Sequence, residues 1–358
     1  MNKENLVEAN RNLNFLEYEQ KKVVLESYPT SIFVQIDAPC NQDCLFCSRP
    51  ESYPYFNLEE FKDKYERKLM PVLERVERIN ITGSGELLSL PEAKKNLEYF
   101  NQFEYAEKMF ATNGSTLTPK MADHIIESNN KYLIHISMHS CDPITHKIMT
   151  KSNTYGAVMQ NVDYIMKAKK NTDKLRVNFI FVATTENIEK LPDYVKFAAE
   201  KGADNVVVYY NFVYRLDQKY LSTYFAKDKT NEMFDKAWQL SKQLNVNLQL
   251  PQRYNQKEYP SESMCREAWT QLMINPSGDI ITCDAAGDQR ETILDKETFM
   301  DVWNGKYFVE IRKKLLNGNS ACSNFCIRAN QASLNKFNSH FITRGKSKEE
   351  IDKFMENA

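Results

Sequence analysis

Three cysteines in a short array place the tightest constraint on this 358-residue chain. Cys40, Cys44 and Cys47 form a C-x3-C-x2-C pattern after an apolar stretch, residues 31–36, that predicts a buried strand. Three thiolates can hold three corners of a cube-shaped iron–sulfur cluster and leave the fourth iron open for chemistry. The alternatives are a zinc site, whose closest histidine in sequence is His124, and a disulfide, which the absence of a secretory signal disfavours.

The bulk composition argues against several classes of partner. A net charge of -1 provides no basic field for nucleic acid. The chain contains no apolar run as long as a membrane span, and its first residues have no hydrophobic core of a signal peptide. Eight cysteines without an export signal indicate metal ligation in a reducing compartment. We therefore expect a cytoplasmic protein with no nucleic-acid and no membrane partner.

Strand-like and helix-like stretches alternate from residue 29 onward. Thr118-Pro119 predicts the start of one helix, and Gly202 predicts the end of another that begins near residue 189. The alternation of buried strands and helices predicts an α/β fold with a parallel sheet, a partial (β/α)6 TIM-like barrel whose site lies at the C-terminal ends of the strands. The predicted strands cover residues 31–36, 78–82, 108–112, 132–138, 175–183 and 205–211.

The same patterns divide the chain into four segments. Residues 1–28 read as an N-terminal helical extension, and residues 29–255 as the barrel. Residues 256–340 form a small C-terminal α+β unit that contains four cysteines, and residues 341–358 form a charged tail.

The cysteine array and the strand ends that follow it resemble those of radical S-adenosylmethionine (SAM) enzymes. Thr82 is followed by Gly83, Ser84, Gly85 and Glu86, which resemble the family's glycine–glycine–glutamate element. In the family, the backbone of that element and its Glu receive the methionine amino group of SAM. The resemblance therefore implies a 4Fe–4S cluster on the three cysteines, with SAM beside it.

Further SAM contacts are implied by the resemblance alone. Phe46 matches the aromatic residue that the family places beside adenine, and Thr112 and Asn113 match its turn after the third strand. Ser137 matches a residue near the ribose or carboxylate, and Asn178 is expected at the ribose hydroxyls. A plain β-turn at Asn113 and a barrel-lining hydrogen bond at Asn178 are the alternatives.

Four cysteines in the C-terminal unit are the right number to close a second metal site. Their layout resembles the twitch domain, a shorter relative of the SPASM domain, whose four cysteines bind one auxiliary 4Fe–4S cluster. Zinc is the alternative metal. The four are Cys265, Cys283, Cys322 and Cys326.

Two residues after the fourth strand depart from the family pattern and are candidates for catalysis. His139 replaces the usual Asp and is either an acid or base or a hydrogen-bonding wall residue. Cys141 replaces a small residue and is either an inert hydrophobe or a hydrogen-atom donor to a substrate radical. Tyr209, Tyr210 and Asn211 end the sixth strand and are expected to line the substrate site, Tyr209 and Asn211 on one face and Tyr210 on the other.

The resemblance implies a reaction but not a substrate. SAM would bind the open iron, and a flavodoxin or ferredoxin would supply one electron to form a 5′-deoxyadenosyl radical that abstracts hydrogen. By analogy with an aminocyclitol alcohol dehydrogenase, we expect oxidation of a small polyol, sugar or aminoglycoside-like substrate. The alternatives are a maturase that oxidises, crosslinks or epimerises a ribosomal peptide, an epimerase that uses Cys141, and a non-catalytic iron–sulfur or zinc scaffold. The lack of an N-terminal peptide-recognition domain counts against the maturase.

Overall fold

Ten strands form one sheet in a computed structural model that describes residues 3–49, 53–255, 265–282, 290–317, 340–341 and 347–356. Their order is β10-β9-β8-β1-β2-β3-β4-β5-β6-β7. All neighbours from β8 to β7 pair in parallel, and β9 and β10 pair antiparallel. The bounds are β1 Ser31–Val34, β2 Arg78–Asn80, β3 Glu107–Thr112, β4 Tyr132–Ser137, β5 Leu175–Ala183, β6 Asn205–Tyr210, β7 Asn247–Gln249, β8 Gln271–Ile274, β9 Asp279–Ile281 and β10 Glu291–Thr292.

Helices fill the connections between the parallel strands, and the predicted α/β class is confirmed. Thr118 accepts a hydrogen bond from the Met121 amide at the start of α5, and Gly202 ends α8 with a φ of 78°. The helices are α1 Lys3–Glu19, α2 Leu58–Phe61, α3 Arg67–Leu73, α4 Ala93–Asn101, α5 Pro119–Glu127, α6 Pro143–Thr150, α7 Tyr155–Lys169, α8 Leu191–Lys201, α9 Lys227–Gln243, α10 Glu267–Thr270, α11 Phe299–Trp303, α12 Lys306–Leu316 and α13 Lys348–Met355. A π-helical turn, Lys62–Glu66, joins α2 to α3.

The two faces of the sheet differ in burial. Ile32 and Val34 of β1 are almost fully buried among the helices, whereas Phe33 and Gln35 on the opposite face are half-buried. Strand β3 alternates in the same way. The helix-facing residues thus form the hydrophobic core, and the opposite face of β1 and β3, which we call the inner face, is half-buried.

The C-terminal segment shares the sheet of the barrel. β8 pairs with β1 along its whole length, from Ser31 opposite Gln271 to Val34 opposite Ile274. The buried guanidinium of Arg312 donates to the Ala268, Val23 and Trp303 carbonyls at 2.9–3.0 Å, which ties α12 to the N-terminal residues. The division at residue 255 stays a prediction. In the described residues, no helix is both long enough and apolar enough to cross a membrane.

Candidate cluster and SAM site

The loop that carries the first three cysteines is held from behind by α6. The Asp43 and Leu45 amides donate to the Thr150 and Met149 carbonyls at 3.0 and 2.9 Å. These carbonyls end the helix, where backbone oxygens have no partner within the helix itself. We call residues 40–47 the cluster loop. Its backbone is fixed by main-chain contacts, and none of its three thiols is used in a disulfide.

The three thiols suit a cationic ligand. Cys40, Cys44 and Cys47 are free and half-buried. Burial, with repulsion from nearby acidic groups, raises the pKa of Cys40, and burial with the other two cysteines raises the pKa of Cys44 to about 12. A bound metal reverses this balance because its positive charge stabilises thiolates. The chemistry of the three donors therefore suits an iron–sulfur cluster, their placement around one stays a prediction, and none of the three forms a disulfide.

Two residues far along the chain also hold the cluster loop, and sequence reasoning missed both. The Gln218 amide donates to the Leu45 and Cys47 carbonyls at 2.9 and 3.0 Å, and Arg215 donates to the Cys47 carbonyl at 3.3 Å. Both lie at the short 3-10 helix that follows β6, Leu216–Leu221. The sequence shows only a loop rich in tyrosine and charge there, so no motif could have indicated this role.

The glycines after β2 allow two strand ends to touch. A Cβ on Gly83 would lie 2.3 Å from the Ile36 carbonyl oxygen, and one on Gly85 would lie 1.8 Å from that of Ala38. Gly85 also has a φ of 90°, a conformation that other residues rarely adopt. The Ala38 amide donates to the Ser84 carbonyl at 2.8 Å across this contact. The sequence predicted a close approach to a ligand, and the structure shows a close approach to the neighbouring loop.

Glu86 joins the second strand end to the third. Its carboxylate is 1% exposed and accepts hydrogen bonds from the Asn113 amide at 2.6 Å, the Thr112 hydroxyl at 2.8 Å and the Leu88 amide at 3.3 Å. Burial raises the pKa of Glu86, and these hydrogen bonds oppose the rise. Asn113 in turn donates to the Asn41 side chain of the cluster loop at 2.9 Å. Glu86 thus positions three strand ends, and its predicted contact with SAM stays a prediction.

His139 lies against the cluster loop as a neutral ring. Its Nδ1 accepts from the Val182 amide at 3.1 Å, so the ring proton is on Nε2. Burial lowers the pKa of His139 to about 3. The ring packs edge-on against Phe46 at 4.8 Å, which brings two predicted site residues together. A φ of 60° and a hydrogen bond from Asn187 to the His139 carbonyl constrain its backbone, and the choice between acid or base and wall residue stays a prediction.

Cys141 lies further back, at the start of the helix layer. Burial, reinforced by Asp193 and Asp142, raises the pKa of its thiol to about 11. Asp142 caps α6 and Asp193 lies in the first turn of α8. The thiol therefore keeps its proton, as a hydrogen-atom donor must, but the charged groups that act on it belong to helices behind the sheet.

The amide of Asn178 is occupied within the sheet. It lies 3.3 Å from the His135 ring nitrogen, and the Asn178 side-chain oxygen accepts from the Asn205 amide at 2.9 Å. Asn178 precedes the end of β5 by five residues, which is about 16 Å of extended chain. Ser137 ends β4 on the half-buried face. The structure thus separates Asn178 from the strand ends and favours the barrel-lining alternative.

At the end of β6, Tyr209 and Tyr210 lie on opposite sides, as the alternation predicted, whereas the predicted shared face of Tyr209 and Asn211 stays a prediction. Tyr210 is buried on the helix side, where its ring packs near Phe234 of α9 and its hydroxyl donates to the Gln252 carbonyl at 2.5 Å. Tyr209 is 48% exposed on the other side. Asn211 is 2% exposed, and its side-chain amide nitrogen has no hydrogen-bond partner in the described structure. We therefore retain Tyr209 and Asn211 for the substrate site and leave Tyr210 out.

Of the four C-terminal cysteines, only Cys265 falls in the described part of the chain. Its side chain is half-buried and packs against the main core. Cys283, Cys322 and Cys326 lie outside the described residues. Their ligand set stays a prediction.

Comparisons with protein families give the same assignment as the geometry. Residues 39–198 match the family model "Radical SAM superfamily", and residues 265–326 match the SPASM model, "Iron-sulfur cluster-binding domain". The chain is a member of the radical SAM superfamily. The cofactors of this radical SAM enzyme are SAM, a 4Fe–4S cluster and an auxiliary iron–sulfur cluster in the SPASM-type region. No curated protein matches the sequence closely enough to count as a relative.

Solved structures show the same fold at low sequence identity. SuiB from Streptococcus suis, bound to S-adenosylmethionine, is 17% identical with a TM-score of 0.61 over 84% of this chain and 71% of that one. SuiB bound to its precursor peptide SuiA is 16% identical with a TM-score of 0.61 over 85% and 71%. Native anSMEcpe with bound AdoMet and the Cp18Cys peptide is 16% identical with a TM-score of 0.60 over 91% and 95%.

Proposed function

We propose that this radical SAM enzyme oxidises a small polyol, sugar or aminoglycoside-like substrate by hydrogen abstraction. The observation that carries the proposal is a polar inner face with an unmatched acceptor. The Asn80 side-chain oxygen is buried on that face and has no hydrogen-bond partner among the described residues. A ligand hydroxyl would satisfy it, because a buried acceptor without a donor is costly.

The neighbouring positions are also suited to a hydroxyl-rich ligand. Gln35, Thr82 and Ser137 lie on or just beyond the inner face of three different strands, and each is half-buried. Asn211 adds a buried amide donor without a partner in the described structure. Amide and hydroxyl side chains that converge from several strands fix the orientation of a polar ligand, which hydrogen abstraction from one C–H bond requires.

The chain's own residues would position the cofactors. In this proposal Cys40, Cys44 and Cys47 hold the 4Fe–4S cluster, and the Gly83–Gly85 backbone, Phe46 and Ser137 surround SAM. When bound, these groups supply reductive cleavage of SAM, the radical that abstracts hydrogen, and in the auxiliary cluster an acceptor for the second electron. His139 contributes as a neutral wall that seals the site behind Phe46.

The test is SAM cleavage after anaerobic reconstitution. With dithionite as reductant, the enzyme should form 5′-deoxyadenosine and methionine, and Cys40→Ala should not. Deuterated polyols, sugars and aminocyclitols are then compared for transfer of deuterium into 5′-deoxyadenosine and for a product two hydrogens lighter. Absence of cleavage above the Cys40→Ala background would rule out the enzyme function. Cleavage without deuterium transfer from any polyol would rule out the substrate class.

A peptide substrate is the second candidate, because two of the similar structures contain a bound peptide. Likeness at this identity supports the fold, and the substrate remains open to experiment. Deuterium transfer from a labelled peptide, and none from the polyol panel, would favour this candidate.

A further inference from the structure

The outward face of α6 carries exposed apolar side chains directly behind the cluster loop. Ile144 is 73% exposed and Ile148 is 46% exposed. They lie four residues apart and therefore share one face of the helix. His146 and Met149 lie on the opposite face of the helix and are fully buried. Two exposed isoleucines on one helix face form a contiguous patch, which marks an interaction site more often than single exposed residues do.

The charges around this patch are positive. Ile144 and Ile148 line an open groove of about 750 Å³, and the charged residues that line it are Lys147 and Lys151. Lys151 also forms an ion pair with Asp43 of the cluster loop at 3.6 Å. A partner with carboxylates around an apolar centre would complement this surface. We call Ile144, Lys147, Ile148 and Lys151 the α6 patch.

The α6 patch is also close to the cluster loop. The C-terminal end of the same helix presents the Met149 and Thr150 carbonyls to the loop amides. Ile148 and Lys151 of the patch therefore lie within one helical turn of the residues that hold the loop. A partner bound at the patch would lie nearer to the three cysteines than one bound on the far side of the barrel.

We propose that the α6 patch is the docking surface for a small acidic electron-carrier protein. The inference rests on the proposed function, because cleavage of SAM consumes one electron that must come from outside the chain. The carrier is oxidised by one electron, and the enzyme receives it. Isoleucines supply the apolar anchor of the interface, and lysines supply attraction and orientation.

The experiment uses the full chain and a flavodoxin as the probe. Ile144→Asp combined with Lys147→Glu changes the charge of the patch without touching the residues that hold the cluster loop. The matched control is Trp238→Asp with Lys242→Glu on α9, where Trp238 is 48% exposed. Binding of oxidised flavodoxin is measured by calorimetry. SAM cleavage is measured with photoreduced flavodoxin and, separately, with dithionite.

The α6 variant should bind flavodoxin at least about tenfold more weakly than the parent. Its KM for flavodoxin should rise by the same factor. Its dithionite-driven cleavage should equal that of the parent, as should both activities of the control variant. Unchanged flavodoxin binding in the α6 variant, or an equal loss in the control, would overturn the proposal. Failure of the parent enzyme to cleave SAM with dithionite would instead overturn the proposed function. The flavodoxin binding data would still test the docking surface in that case.

Discussion

Gly85 is the glycine at which one added methyl group should lower the folding stability most. In Gly85→Ala the new Cβ would lie 1.8 Å from the Ala38 carbonyl oxygen, on a backbone with a φ of 90°. No rotation relieves this overlap, because both atoms are fixed to the main chain. The two strand ends would have to separate, which breaks the hydrogen bond from the Ala38 amide to the Ser84 carbonyl.

The cost can be worked out from its parts. A left-handed backbone at alanine costs about 1–2 kcal/mol, a forced shift of packed structure about 1–3 kcal/mol, and the lost hydrogen bond about 1 kcal/mol. Together these give roughly 3–6 kcal/mol, a large share of the stability of a typical domain. Because Ala38 leads directly into the cluster loop, cluster binding should fall with stability.

Two other glycines separate the cost of backbone strain from the cost of the crowded contact. Gly202 has a φ of 78°, and a Cβ added there would meet no atom of the described residues within 4 Å, so Gly202→Ala should cost only the backbone strain. That strain is about 1–2 kcal/mol. Gly156 lies in α7 with open space around it, so Gly156→Ala should stabilise by up to about 1 kcal/mol.

The assay is denaturant unfolding of the three variants, followed by circular dichroism, together with iron and sulfide content after reconstitution. The order of stability should be Gly156→Ala, then Gly202→Ala, then Gly85→Ala, and only Gly85→Ala should lose iron. If Gly85→Ala cost no more than Gly202→Ala, the argument from the crowded contact would be wrong.

Three further predictions concern the same region. Burial lowers the pKa of His139 in the folded chain to about 3, whereas the unfolded chain binds this proton below pH about 6.5. The folded state is therefore fully stabilised by the neutral ring above pH 6.5. This stabilisation is lost as the pH falls towards 3, by up to about 1.4 kcal/mol per pH unit. His139→Asn, which keeps an acceptor and tolerates the positive φ, should flatten that slope in acid-unfolding curves, and an unchanged slope would contradict the prediction. Glu86→Gln replaces one carboxylate oxygen by an NH2 group, which leaves either the Asn113 amide or the Leu88 amide facing a donor, and it should cost about 1–3 kcal/mol in denaturant unfolding. Glu59→Gln at an exposed position should cost less, and equal effects would contradict the prediction. In deuterated water, Cys141→Ala should form as much product as the parent, with the same solvent deuterium content at the product carbon. Loss of product formation together with loss of that deuterium would support the epimerase alternative.

Local sequence patterns were sufficient to predict the first six strands, whereas β7 to β10 were not among the predicted strands. The run from Leu175 to Ala183 is largely apolar, and its predicted bounds are those of β5. The first two strands are shorter than predicted, because the backbone after Val34 and Asn80 turns into the loops that carry the cysteines and glycines. Apolar character alone does not mark that turn, since Ile36 and Ile81 are as buried as the strand residues.

The candidate site was predictable in its motifs but not in its contacts. The three cysteines and the glycine–glutamate turn are contiguous in sequence, so they could be recognised there. Gln218 supports the cluster loop across 171 positions, and the sequence carries no trace of such a pairing. Glu86 was expected to face a ligand, and the structure shows its carboxylate among backbone and side-chain donors of the next strand end.

The place of β8 beside β1 has a consequence for the order in which the molecule can be completed during synthesis. β1 acquires its second neighbour only when residues 271–274 have left the ribosome, well after Gln218, which supports the cluster loop. Until then the strand that leads into the three cysteines has an open edge, which is prone to pair with other chains. Delivery of iron and sulfide to the cluster loop is therefore expected late, on a nearly complete chain, and a nascent chain stalled at residue 255 should bind iron poorly although it already contains all three cysteines.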